Sequence, residues 1–400
     1  MTSARRLPAC VAAFALTFAL TFALVGCTAN SQSDIEPSPT FDPRPTPVHI
    51  DPAAQYASDR LSTMSLREKV LSMLMVHIPG VAPADRISSD FADVGGFILM
   101  GDNIPSTLSE LTAETAALSD DAGLPVLVAT DQEGGIVRRV PTDDAAAAIE
   151  LRDRDPQATF DAFAQRGALL ESVGVSVNFG IVADVASDQS SFIYERSFGS
   201  TGADAGARVA EAVEGESPIL STLKHFPGHG AAEGDSHTSI PTTALSYDDW
   251  QSTHAVPFEE GIAAGAPLVM FGHLEFTAVD PEPATFSTRW HDILRDDLGF
   301  DGVSITDDMG MLERSGVAEY SDQVANAVRA IEAGNTMLLY VGAVDTSGIV
   351  TAVSQAIDEG ELDESVIDDA ALKLLELRRG LSSETGRFVH CLADCTAIVG

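Results

Sequence analysis

Cysteine is scarce, with four in 400 residues, too few for a disulfide-built fold. Basic residues are scarce too: Lys and Arg number 23 against 60 Asp and Glu, a formal charge of −37. A chain this acidic repels phosphate backbones, which argues against nucleic acid as a partner. The charge says little about a neutral substrate. The Gly-x-Gly-x-x-Gly dinucleotide fingerprint is missing, because Gly228 and Gly230 are followed by glycine only at Gly234. After the first 26 residues no run of 18 apolar residues occurs, so the remainder is expected to be soluble. Aromatics make up 6% of the chain, hydrophobic residues 45%, and glycines number 32. That content can bury a sizeable core, excludes disorder throughout, and suits a helix- and loop-rich α/β protein.

Arg5 and Arg6 precede an apolar run at 11–25, the basic-then-apolar layout of a secretory signal. The run is about 15 residues, short of the ~20 that a spanning helix needs. Leu24-Val25-Gly26-Cys27 resembles the lipobox of bacterial lipoproteins. The resemblance implies a signal peptide at 1–26, a lipid on Cys27, and an exported protein anchored to the outer face of the bacterial cytoplasmic membrane. Residues 27–52, rich in Ser, Pro, Thr and Asp, read as a solvated tether. A catalytic domain at 53–385 and a tail at 386–400 follow. In an exported tail Cys391 and Cys395 can form a short disulfide. His390 beside them has no partner pair of Cys or His for a metal site.

Eight apolar, β-prone runs recur along the domain, at 74–77, 96–100, 125–129, 176–179, 219–223, 268–271, 302–305 and 336–340. The first is the weakest, because 73–76 could equally finish a helix. Helical patterns lie between them, for instance at 106–120, 161–173, 323–333 and 347–359. Strands alternating with helices imply parallel pairing, and eight such units predict a (β/α)8 TIM-type barrel. A doubly wound open sheet is the alternative.

Barrel chemistry sits where strands run into loops. Asp131 follows the third run, Lys224 and His225 the fifth, His273 the sixth, and Asp307 with Asp308 the seventh. The densest stretch is Lys224-His225-Phe226-Pro227-Gly228-His229-Gly230, then Asp235-Ser236-His237. His225 and His229 have the i, i+4 spacing of a helical zinc pair, but Pro227 and Gly228 break a helix between them. The segment is therefore a loop, and no metal or other cofactor is expected. A carboxylate two residues from an imidazole, as in Asp235 and His237, can orient the ring and raise its basicity. Lys224 and His225 offer donors to substrate hydroxyls. Adjacent carboxylates at Asp307 and Asp308 point in different directions on an extended chain, so one can face the barrel axis while the other supports it. A positioned carboxylate can attack an anomeric carbon; helix capping is the plainer role for such a pair. Asp131 can accept two hydroxyl hydrogen bonds, and Arg139 could simply pair with the acidic bulk of the surface.

Together these motifs resemble family 3 glycoside hydrolases, and within them the single-domain, NagZ-like β-N-acetylglucosaminidase branch, over about residues 60–345. Asp131-Gln132-Glu133-Gly134-Gly135 with Val137 and Arg139 is similar to one family segment. Asn178-Phe179 through Ala183-Asp184-Val185, and Glu195-Arg196-Ser197-Phe198-Gly199, are similar to two more. Lys224–Gly230 with Asp235-Ser236-His237 resembles the family's long loop signature, and Ser304-Ile305-Thr306-Asp307-Asp308 its nucleophile strand. The resemblance implies a retaining exo-glycosidase, probed residue by residue: Asp307 as nucleophile, His237 as acid/base paired with Asp235, and Asp131, Arg139, Arg196, Lys224 and His225 holding the sugar. It implies a β-GlcNAc-terminated glycan as substrate and a monomer. The chain departs from the family pattern at Ala231-Ala232, where Asp-Thr is usual, at Thr306, and at Gly272-His273-Leu274-Glu275. A β-glucosidase or broad hexosaminidase, a phosphorylase, or an inactive glycan-binding lipoprotein remain open alternatives on the same fold.

Overall fold

The computed structural model describes residues 52–119 and 123–382. Cys27, Cys391, Cys395, His390, the apolar leader and the tail lie outside the described residues. A helix, Pro52–Leu61, begins at the last residue of the expected tether.

Eight parallel strands close into a barrel: β1 (Leu74–Val76), β2 (Gly96–Leu99), β3 (Leu127–Thr130), β4 (Val177–Val182), β5 (Leu220–Phe226), β6 (Leu268–Phe271), β7 (Val303–Asp308) and β8 (Met337–Tyr340). Each strand pairs with its sequence neighbour, and β1 pairs with β8 in the register Leu74↔Leu338. Nearly all strand residues are buried, because helices cover the outside and side chains fill the inside. This two-sided burial explains why the strands read as continuous apolar runs rather than alternating ones.

Seven strands lead into an α-helix; β1 does not. The segment after it holds Pro79, Gly80 and Pro83 and forms only a 3-10 turn at Pro83–Arg86. Two prolines and a glycine at φ 86° block a continuous helix there. The short helix Leu66–Ser72, which precedes β1, packs against the last two helices, Thr346–Glu359 and Glu364–Gly380. Its N-terminus is set by Ser65, whose hydroxyl accepts from Glu68 N while Glu68 accepts from Ser65 N.

Three strands run further than the runs read from the sequence. β4 reaches Val182, β5 reaches Phe226 and β7 reaches Asp308. Lys224, His225, Asp307 and Asp308 therefore stand on strands and not in the loops beyond them. The register slips along these extensions, between Asn178 and Ile181, Leu223 and Phe226, and Ile305 and Asp308. Such irregularities re-aim side chains at a barrel rim.

The few aromatics are concentrated behind β5 and β6. Phe226 is ringed by Trp250, Phe258, Phe271 and Trp290, all at centroid distances of 5.1–6.0 Å and near-perpendicular angles. Edge-to-face packing of this kind stiffens the wall beyond its area burial. Trp250 also donates its indole N–H to Pro227 O at 2.7 Å, which ties the start of the long loop to the same wall.

Candidate active site

The carboxyl ends of the strands surround a cavity of about 460 Å³. Asp131, Arg139, Arg196, Lys224, His225, His237 and Asp307 all line it, seven of the eight residues expected to act on substrate. Asp235 stands behind His237 and does not line the cavity.

One wall is a lattice of charges. Lys224 Nζ lies 3.1 Å from Asp131 Oδ1 and 2.7 Å from Glu133 Oε1. Arg196 donates to both oxygens of Glu133, through Nε at 2.9 Å and NH2 at 2.7 Å. Arg139 donates to Asp131 Oδ2 at 3.0 Å. Arg139 is thus part of this lattice rather than a surface pair with the acidic bulk. Burial pushes the Glu133 carboxyl up, but the Lys224 and Arg196 charges outweigh it and bring its pKa to about 2. Asp131 is likewise lowered, because Lys224 and Arg139 overcome its burial. Both carboxylates are therefore ionised and hold the three cations toward the cavity.

A backbone clamp positions these acids. The Asn178 side chain on β4 accepts from Gln132 N and donates to Gln132 O, both at 2.9 Å. The Gln132 side chain in turn accepts from Arg139 N and Val140 N at 2.9 Å. Gln132 points away while Asp131 and Glu133, two apart on extended backbone, share the cavity side.

Beside this wall lies a buried histidine pair. His225 Nδ1 is 2.8 Å from Asp184 Oδ2, and Asp184 Oδ1 accepts from His229 N at 2.5 Å. Burial raises the Asp184 pKa to about 6, against the pull of His229. Burial and the Arg196 charge hold His225 well below its usual range, so the ring is neutral. With Nδ1–H donated to Asp184, Nε2 is an acceptor, and Arg196 NH2 donates to it at 3.4 Å. His225 therefore presents its Nε2 edge to the cavity with Arg196 already in contact with it.

The loop after β5 carries the second imidazole. Gly230 is required where it is: a Cβ there would fall 1.9 Å from Val185 O. The loop then brings Asp235 Oδ1 to 2.6 Å from His237 Nδ1. Ser236 between them is buried, its Oγ 3.1 Å from His229 Nε2. The buried pair and the exposed pair are thus one chain of contacts from Asp184 to His237.

Asp307 lines the cavity from β7, its Oδ1 accepting from Asp308 N at 2.7 Å. Asp308 supports it: Oδ1 accepts from Val341 N at 2.9 Å and Gly310 N at 3.1 Å, and Oδ2 from Arg314 at 2.7 Å. His273 braces the same corner and does not line the cavity. It is buried, with Nδ1 2.7 Å from Thr285 Oγ1 and Nε2 3.0 Å from Asp308 O.

Sequence reasoning gave Glu133 and Asp184 no role and weighed His229 only as half of a zinc pair, although each stands inside a family-like motif. The two-residue spacing of Asp131 and Glu133 was the available signal. Nothing local marks Asp184, whose partners are 41 and 45 residues away.

A carboxylate and an Asp-oriented imidazole on one cavity, at the carboxyl end of a parallel barrel, are the equipment of a barrel hydrolase for polyhydroxylated substrates. The family model described as the glycosyl hydrolase family 3 N-terminal domain matches residues 65–377. The chain belongs to glycosyl hydrolase family 3 and is a glycoside hydrolase. It is 31% identical over 349 residues to a protein named beta-hexosaminidase from Nitrosomonas eutropha, covering 82% of this chain and 97% of that one. It is similar to the solved structure of LpqI from Mycobacterium tuberculosis, with a TM-score of 0.72 at 28% identity, covering 80% of this chain and 95% of that one. A family 3 β-N-acetylglucosaminidase from Paenibacillus sp. str. FPU-7 gives a TM-score of 0.73 at 28% identity, covering 84% and 68%.

Proposed function

We propose that this protein is a retaining exo-β-N-acetylglucosaminidase that removes terminal β-linked GlcNAc from cell-wall or related glycans. The observation that carries the reading is the 2.6 Å Asp235–His237 contact beside the cavity that Asp307 lines. The relatives named beta-hexosaminidase support the choice of sugar.

The chemistry follows from the groups. The Asp307 carboxylate attacks the anomeric carbon while His237, protonated at Nε2, gives that proton to the glycosidic oxygen, and the C1–O bond breaks. A glycosyl ester on Asp307 results. Neutral His237 then takes a proton from water, which attacks the same carbon and frees Asp307. Asp235 keeps the Nδ1 proton in place through both steps. Lys224, Arg196, Asp131, Arg139 and His225 hold the sugar's hydroxyl groups. The departure from the usual carboxylate pair is one of charge: a neutral imidazole replaces an anionic base. Export and anchoring through a lipid on Cys27 belong to the same proposal, resting on the leader's basic-then-apolar layout and its Leu24–Cys27 sequence.

The test is release of a chromogenic leaving group from its β-N-acetylglucosaminide by the wild type and by Asp307→Ala. Turnover that vanishes in the variant supports the reading. A wild type silent on this substrate and on the β-glucoside refutes it in favour of a glycan-binding protein.

A further inference from the structure

An acidic side chain kept out of reach of water is costly, and a fold retains one only where a partner holds it. Glu216 is fully buried. It is the last residue of the helix Gly202–Glu216 and does not line the catalytic cavity. Burial raises its pKa to about 8, so near neutral pH it is an uncharged acid. Arg166 acts on it only through space, because the Arg166 Nε–H goes to Asp143 at 2.8 Å. The side-chain partner of Glu216 is Asn178, whose Nδ2 donates to Oε1 at 2.5 Å.

That contact leads to the sugar-binding wall. Asn178 stands on β4 with its whole amide engaged. Oδ1 accepts from Gln132 N, while Nδ2 donates to Gln132 O and to Glu216 Oε1. The strand is built around this arrangement. Its register slips between Asn178 and Ile181, and residue 180 has to be glycine. A Cβ there would lie 2.2 Å from Asn178 Nδ2 and 2.7 Å from Gln132 O. Gln132 sits between Asp131 and Glu133, and those two carboxylates hold Lys224, Arg196 and Arg139 at the cavity. Without the Glu216 acceptor, a buried Asn178 N–H has no partner. The amide then turns toward another acceptor, and the Gln132 peptide moves with the carboxylates on either side of it.

We propose that Glu216 is a positioning residue for sugar binding. It fixes the Asn178 amide, which fixes the Gln132 peptide, which aims Asp131 and Glu133 from outside the cavity. The inference rests on the glycosidase reading above and deepens it, adding to the sugar site a residue that the sugar does not reach. The effect falls on affinity and not on bond breaking, because Asp307 and the Asp235–His237 pair stand on other elements.

The experiment uses the full chain and β-N-acetylglucosaminyl fluoride, whose single sugar reads only the site that Asp131 lines. A calorimetric Kd for GlcNAc accompanies it. Glu216→Met keeps the length of the side chain and loses the acceptor. It is expected to raise KM and Kd by roughly tenfold, with kcat changed by less than about twofold. Glu216→Gln matches the neutral acid in size and keeps its accepting oxygen. It is expected to restore both constants to within about twofold of the wild type. Asn178→Ala is expected to raise both as Glu216→Met does, and Glu216→Met added to it to raise neither further. If Glu216→Met does not fold, Glu216→Asp, which withdraws the acceptor by one methylene, is expected to give the same rise. Three results overturn the inference and leave Glu216 as packing. They are wild-type constants in the folded Glu216→Met or Glu216→Asp protein, a rise in Glu216→Gln equal to theirs, and additive rises in the double variant. A wild type that binds GlcNAc but releases no fluoride refutes the glycosidase reading alone, and the Kd series still decides the inference. A wild type that does neither refutes both.

Discussion

Asp235 holds His237 twice: its Oδ1 lies 2.6 Å from the ring Nδ1 and also accepts the His237 backbone N–H at 3.0 Å. The two contacts fix the ring's tautomer and leave Nε2 as the atom that can move a proton. His237 N and Nδ1 in turn keep the Asp235 pKa below the usual carboxylate range, despite some burial. The carboxylate is therefore ionised wherever the imidazole is needed. Asp235→Ala should lower kcat/KM by roughly 10²–10³ on a substrate with a poor leaving group. The fall should be much smaller on the glycosyl fluoride, whose departure needs little proton transfer. Steady-state kinetics on the two substrates check this, and equal losses would place the pair outside the protonation step.

Glu133 carries both Lys224 and Arg196, so its removal strands the buried Arg196 and leaves Lys224 with Asp131 alone. Glu133→Gln should destabilise the protein by roughly 3–5 kcal/mol in chemical denaturation. It should also raise KM, because the cations lose their fixed positions. The pH dependence has a definite sign. The folded-state pKa of about 2 is below the ordinary value of 4.5. The pair's stability is therefore present above 4.5 and lost as pH falls toward 2. Acid titration of the wild type should show this loss, and the Gln variant should show a flatter curve.

Glu216 behaves in the opposite sense. It closes the helix Gly202–Glu216, is fully buried, and accepts from Asn178 Nδ2 at 2.5 Å. Burial raises its pKa to about 8. The folded state then holds a proton that the unfolded chain has released, so stability is greatest below about 4.5 and falls as pH rises through 8. Glu216→Gln removes that titration. Relative to the wild type, the variant should gain roughly 1–3 kcal/mol between pH 5 and pH 8, read from thermal or urea unfolding at the two pH values. A constant difference would contradict the buried-proton account.

The barrel was legible because strands buried on both faces leave apolar runs that no loop imitates, and because turns of Gly and Pro separate them. All eight runs became strands, including the weakest, 74–77. The missing helix after β1 was also written in the sequence, in Pro79, Gly80 and Pro83, but regular alternation elsewhere outweighed it. At the site, single residues at strand ends were legible and their partners were not. Glu133 meets Arg196 across 63 positions, and Asp184 meets His225 across 41. Contacts of that range are made by barrel closure and leave no local pattern. His225 shows the consequence. Its ring is held between Asp184 at Nδ1 and Arg196 at Nε2, neither of them near it in sequence.

The central claim is that Asp307 bonds covalently to the sugar. A 5-fluoro-β-N-acetylglucosaminyl fluoride slows the second step and lets the ester accumulate, and mass spectrometry of the quenched, digested protein locates it. The account predicts one glycosyl adduct on the peptide holding Asp307 in the wild type, and none in Asp307→Ala. An adduct on another residue, or turnover of the unfluorinated β-glycoside with inversion at the anomeric carbon, would contradict it.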